Sequence, residues 1–217
     1  MRKVALICCS LALFTYQART SQLAVFVLDS ANWRSDGLPP GWQIKVNYGR
    51  PQIFQSREPD GAALHLKSHR ASFALERGVD VDLTATPWLT WRWKVAELPQ
   101  GADFRASRTD DQAAQVLVAF SDRRVISYIW DTTAPRGTMQ SASSIPLVHV
   151  FAVVCRSGGA ELNQWLTEAR NAAEDYQRAY GRPAPRVKGL RLQINSQHTG
   201  TTAESFFGQV AFRNTPL

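Results

Sequence analysis

Trp88-Leu89-Thr90-Trp91-Arg92-Trp93-Lys94-Val95 is the stretch that decides how the rest of this 217-residue chain is read. Leu89, Trp91, Trp93 and Val95 fall on one parity, and Trp88, Thr90, Arg92 and Lys94 on the other. Successive side chains of a strand point to opposite sheet faces, so a period of two predicts a half-buried strand. The inner parity would bury two indoles and anchor a core. The outer parity carries two cations beside a third indole, with the Lys94 ammonium expected in solvent, and is the first place to look for a site.

The β rhythm continues on both sides. Upstream, residues 23–28 and 42–46 read as strands separated by the turn Gly37-Leu38-Pro39-Pro40-Gly41, and residues 63–66, 72–75 and 79–83 are further short candidates. Downstream, Leu98-Pro99-Gln100-Gly101 is a turn by its Pro and Gly. Residues 114–120 and 125–130 make a hairpin pair across Ser121-Asp122-Arg123-Arg124. Residues 132–144 form a Ser/Thr/Gly/Pro-rich loop, long enough for a lid or rim, before the apolar strand of residues 148–155. Leu190, Leu192 and Ile194 alternate with Arg191, Gln193 and Asn195, and residues 206–212 supply a last strand. One segment breaks the pattern: Ala172 or Ala173, Tyr176 and Tyr180 recur at helical spacing and Gly181 follows, which predicts a helix over 171–180. Residues 164–169 fit strand or helix equally. The sum is an all-β, antiparallel two-sheet sandwich of the jelly-roll, lectin-like kind with one short helix.

Composition fits one domain over residues 23–217. An apolar share of 44% and a charged share of 20% are those of a folded protein. The net charge of +7 is spread without a Lys/Arg run, which argues against nucleic acid. Arg2 and Lys3 followed by the apolar residues 4–14 match a secretory signal, expected to occupy residues 1–18. Tyr16 sits awkwardly for cleavage after Ala18, so a retained N-terminal membrane anchor is the alternative. The expected location is periplasmic or secreted, with no transmembrane span in the mature chain. Cys8 and Cys9 would leave with the signal, and Cys155, in an apolar run, is expected to be a buried inert thiol.

Nucleophile elbows, phosphate-cradling Gly-rich loops and paired-cysteine motifs are absent from the sequence. His65 and His69 lack an acidic neighbour in sequence, so neither a metal nor a cofactor is expected. Two polar clusters remain. Asp110 and Asp111 precede a strand, where they can serve a ligand, a catalytic step or an ion pair with Arg92, Arg105 or Arg108. Arg170 and Asp175 flank Asn171 and Glu174, the latter two spaced as a capping box. Trp42, Trp88 and Trp130 are the indoles expected to be partly exposed, and Trp88 or Trp130 would offer a sugar ring a stacking platform.

These motifs, in order, resemble those of a bacterial family. Leu38-Pro39-Pro40-Gly41-Trp42, Trp91-Arg92-Trp93-Lys94-Val95, Leu98-Pro99, Gly101-Ala102-Asp103, Asp110-Asp111, Tyr128, Trp130, Arg170-Asn171, Asp175-Tyr176 and Gly181 carry the likeness to domain-of-unknown-function family 3047 over about residues 38–212. The resemblance implies an exported protein and no particular chemistry. The chain departs from the family pattern at Asn195-Ser196-Gln197-His198 and Gly208-Gln209, where the family tends to be acidic, which weakens a cation site there. Three readings follow. One is a glycan- or envelope-ligand-binding module whose site is lined by Trp88, Arg92, Lys94, Asp110, Asp111, Trp130, Arg170 and Asp175, with the cations favouring an acidic ligand. The second is a structural or partner-binding envelope protein. The third is a polysaccharide-acting enzyme using Asp110 or Asp111.

Overall fold

The computed structural model describes residues 23–29, 38–59, 61–142 and 148–217. The expected signal, with Cys8 and Cys9, and part of the loop at 132–144 lie outside them. Among the described residues the order is β1 (Ala24–Leu28), β2 (Gln43–Tyr48), β3 (Gln52–Glu58), β4 (Gly61–His69), β5 (Ser72–Val81), β6 (Trp88–Glu97), β7 (Ala114–Phe120), β8 (Arg124–Asp131), β9 (Met139–Ser141), β10 (His149–Ser157), β11 (Leu166–Asn171), α1 (Ala172–Tyr180), β12 (Val187–Asn195) and β13 (Thr202–Arg213). The chain is mostly β with one short helix, as its patterning predicts.

Two sheets form. The first runs β11-β6-β13-β4-β3, with β1 pairing the end of β13 that β4 leaves open. The second runs β2-β5-β12-β7-β8-β10-β9. All pairs are antiparallel except β8 with β10, which run parallel because the chain crosses through β9 before returning. β9 lies inside the predicted loop. The ambiguous segment 164–169 contributes a strand, β11, paired with β6.

The predicted phase of β6 holds on its inner side. Leu89, Trp91, Trp93 and Val95 are buried, and their rings meet Tyr128 and Trp130 of the opposite sheet at centroid distances of 5.1 Å (Trp91–Tyr128) and 5.8 Å (Trp93–Trp130). Phe73, Leu75, Val116, Val118, Leu192, Phe207 and Phe212 fill the same core. Trp130 is therefore an inner-parity residue like Ile126 and Tyr128, not an exposed platform, and its Nε1 donates to the Gly158 carbonyl at 3.1 Å. Trp42 is also buried, its Nε1 donating to Val27 at 3.3 Å.

At one edge of the sandwich α1 begins at the cap Asn171, whose side chain accepts from the Glu174 amide at 3.2 Å. Glu174 returns the contact through the Asn171 side-chain amide at 2.8 Å. The helix ends at Gly181, in the left-handed region at φ 70°, with its N–H on the Gln177 carbonyl.

Candidate functional site

The residues singled out in sequence do not share a cleft. On the outer face of the first sheet, Lys94 is not solvated. Its Nζ lies 3.2 Å from Glu58 Oε2, 4.2 Å from the Phe206 ring centre and 5.2 Å from that of Trp165, and both partners of the ion pair are only 17% exposed. Trp165 Nε1 donates to the same Glu58 oxygen at 2.9 Å, and the Arg92 guanidinium lies 5.2 Å from the Trp165 ring. Burial raises the Glu58 pKa, but hydrogen bonds from Ser56, Trp165 and Lys94 and the Lys94 charge together outweigh it, and the net shift is downward. Gly208 lies directly beneath this cluster, where a Cβ would make ordinary contact with Arg92 Cβ at 3.4 Å and Trp165 at 3.5 Å. Trp88, half-buried farther along β6, is not among the residues of this cluster.

Asp111 is fully buried and pairs with none of the expected arginines. It accepts from the Thr199 amide at 2.6 Å, the Thr199 hydroxyl at 2.8 Å and Asn195 Nδ2 at 3.2 Å, tying the start of β7 to the loop after β12. Asp110 turns the other way, its Oδ1 accepting from Gln112 Nε2 at 2.8 Å, and burial pushes its carboxyl pKa up. Arg170 and Asp175 form a two-point ion pair at 2.9 and 2.6 Å, with Asp175 also accepting from Tyr128 at 3.1 Å. Glu168, next along the inward parity of β11, accepts from Arg156 at 2.6 Å and from Trp93 Nε1 at 3.3 Å. These inward charges link β11 of one sheet to β8 and β10 of the other, so they hold the sheets together. Cys155 is buried there, and burial pushes its thiol pKa far up, as an inert thiol requires.

An open concavity lies elsewhere, on the outer face of the second sheet. Register across β5, β12, β7 and β8 places outward residues in rows. Gly78, Gly189, Ala119 and Val125 stand side by side, and the next row is Glu76, Arg191, Leu117 and Ser127, with Gln43 of β2 beside Glu76. A third row is Ala74, Gln193, Gln115 and Ile129. The first row is low because two glycines face each other; a Cβ on Gly78 would meet nothing within 4 Å. Two cavities of about 430 and 370 Å³ follow β12 along these rows and share Leu117, Val150 and Arg191, so they make one groove. Its outward span from Gly189 to Asn195 is about 20 Å at ~3.4 Å per residue. Leu117, Ala119, Val125, Val150 and Ala152 give it an apolar floor.

Polar groups stand along the floor. Arg191 Nη2 donates to Glu76 Oε2 at 2.7 Å. The far end holds Asp110, Gln112, Gln115, Gln193, Asn195, Gln197 and His198. Of the residues expected to line a site, Asp110 alone reaches this groove. The missed residues are mostly amides and small side chains that match no catalytic motif, although the alternation of Arg191, Gln193 and Asn195 against Leu190, Leu192 and Ile194 already marked the outer parity of β12. His65 is not part of the groove; it stacks on Phe206 at 4.0 Å and bonds Glu204 at 2.6 Å.

The family model described as "Protein of unknown function (DUF3047)" matches residues 40–211, and the chain belongs to that family. No curated protein matches it in sequence. Among solved structures it is similar to the xyloglucanase domain of NopAA, a type three effector from Sinorhizobium fredii in complex with cellobiose, at 8% identity over 80% of this chain and 94% of that one, with a TM-score of 0.47. Trichoderma harzianum endoglucanase 3 from family GH12 is similar at 10% identity over 93% and 100%, TM-score 0.46. A carbohydrate binding module of family 29 is similar at 10% identity over 89% of each chain, TM-score 0.42. At such values the fold rests on the strand topology itself, and no site is carried over.

Proposed function

We propose that this member of the DUF3047 family is an exported glycan-binding module that takes its ligand in the groove along β12, rather than on the tryptophans and ion pairs first picked out in the sequence. The observation that carries this reading is the groove's composition: an apolar floor of small side chains, with amides, a guanidinium and a carboxylate converging on it. Ligand sites are concave and largely apolar, with a few placed polar groups that fix orientation. An extended sugar chain presents C–H faces and hydroxyl edges that match such a surface.

The competing clusters have less to offer a ligand. Lys94, Arg170, Asp175 and Asp111 are engaged with partners inside the protein. Asp111 in particular has its carboxylate enclosed, which leaves a catalytic pair of Asp110 and Asp111 without an exposed second member. Export rests on the basic start and the apolar residues 4–14. Among the described residues no helix is long and apolar enough to cross a membrane.

Amide chemical-shift mapping tests the proposal. Titration with neutral oligosaccharides is expected to move the resonances of Gly189, Arg191, Gln193 and Gln115. Shifts confined to Arg92, Lys94 and Trp165 would place the ligand on the opposite sheet and overturn it. N-terminal sequencing of the native protein tests export, and an intact Met1 would count against a cleaved signal.

A further inference from the structure

We infer that the ligand of the β12 groove is an uncharged glycan bearing acetamido groups, recognised by the Gln193 side-chain amide; this rests on the groove reading above. The cations in the groove already have partners. Arg191 is paired with Glu76 at 2.7 Å, and Arg77 donates to the Val27 carbonyl. At the other end His198 Nδ1 lies 3.0 Å from the Asp110 carbonyl oxygen and 3.6 Å from Asp111 Oδ1. A polyanion would have to strip Glu76 from Arg191 and would meet Asp110 as well. The cations therefore do not call for an acidic ligand.

The amides differ in what they leave open. Asn195 is spent: its Oδ1 accepts from Gln112 N and Gln115 Nε2, and its Nδ2 donates to Asp110 O and Asp111 Oδ1. Gln193, in the same row as Gln115, has no side-chain hydrogen bond among the described residues and keeps one donor pair and one acceptor facing the groove. Gln197 Oε1, in the same cavity, is buried without a partner. An acetamido group is a trans amide with its carbonyl and N–H on opposite sides, so the carbonyl accepts from the Gln193 NH₂ and the N–H is left for a second acceptor such as Gln197 Oε1. Its methyl finds Ile129, Ala142 and Ala152 in the same cavity. A sugar hydroxyl can also bond the Gln193 amide, as donor or as acceptor, but it brings no methyl to the apolar wall of Ile129, Ala142 and Ala152.

Calorimetric titration of the full chain with tetra-N-acetylchitotetraose, cellotetraose and tetragalacturonate tests the inference. The acetylated tetrasaccharide is expected to bind about tenfold tighter than cellotetraose, the worth of a buried methyl and one better-placed hydrogen bond. Gln193→Leu, with melting temperature as the fold control, should collapse that ratio. The near-isosteric Gln193→Glu, which loses the donors that meet the acetamido carbonyl, should reduce it as well and serves if the leucine variant does not fold. Equal affinity for cellotetraose, with the same groove resonances shifted, would overturn the acetamido assignment and leave the groove reading standing. Tighter binding of tetragalacturonate would overturn the uncharged class. No binding of any of the three, with the groove resonances unmoved, would sink the groove reading and this inference together.

Discussion

Replacing Lys94 by alanine separates a solvated surface cation from a structural one. At 3.2 Å and an effective dielectric near 20, the attraction to Glu58 is about 5 kcal/mol. Desolvation of two largely covered groups cancels much of this. The ammonium also sits over Phe206 and Trp165, a contact of about 1 kcal/mol in a partly desolvated setting. Glu58 keeps its hydrogen bonds from Ser56 and Trp165 after the change, so it is not orphaned. The net loss should be about 2–3 kcal/mol, or roughly 4–10 °C in Tm for a chain of this size. The acid limb carries a second signature. The folded Glu58 pKa lies below its ordinary value near 4.5, so its stabilisation is present above that value and is lost as pH falls through the folded one. Without Lys94 that acid loss should shrink. Thermal melts of the wild type, Lys94→Ala and Lys94→Met between pH 7 and pH 3 measure both, and the methionine variant should recover the stem packing alone. A change in Tm of less than about 2 °C with an unaltered acid limb would show that Lys94 is solvated and that the cluster has been misjudged.

Asp111→Asn should cost about 3 kcal/mol, because its NH₂ must face a donor, either Asn195 Nδ2 or the Thr199 amide, and charge-assisted hydrogen bonds are removed, yet groove binding measured by calorimetry should persist. Asp110→Asn should leave Tm unchanged or raise it at pH 7. Its folded pKa is raised by burial, so the charged form costs stability above that pKa, and the benefit of the substitution should vanish in acid; a Tm loss at pH 7 that shrinks in acid would contradict this.

What the sequence shows plainly is what a period of two can show. The inward phase of β6 was legible because four apolar residues alternate with polar ones, and α1 because a capping box and a glycine bound it. β3 was not, since Gln52-Ile53-Phe54-Gln55-Ser56-Arg57-Glu58 lies at a sheet edge where both faces tolerate polar residues. β11 was ambiguous because Glu168 and Arg170 point inward, against the rule that charge faces water. The outward side of β6 misled for a different reason. Local alternation assigns a face but not what covers it, and Trp165 and Glu58 come from distant parts of the chain. The groove is built largely from glycine, alanine and glutamine across six strands, so it appears only once the registers are known.

Gly78→Tyr addresses the groove most directly. Gly78 lies in a strand, and a Cβ there points into open space, so the ring should fill the low row beside Gly189 without disturbing the fold. The account predicts an unchanged or higher Tm together with loss of binding to tetra-N-acetylchitotetraose and cellotetraose in calorimetric titration. A folded Gly78→Tyr protein that binds either tetrasaccharide as tightly as the wild type would contradict it.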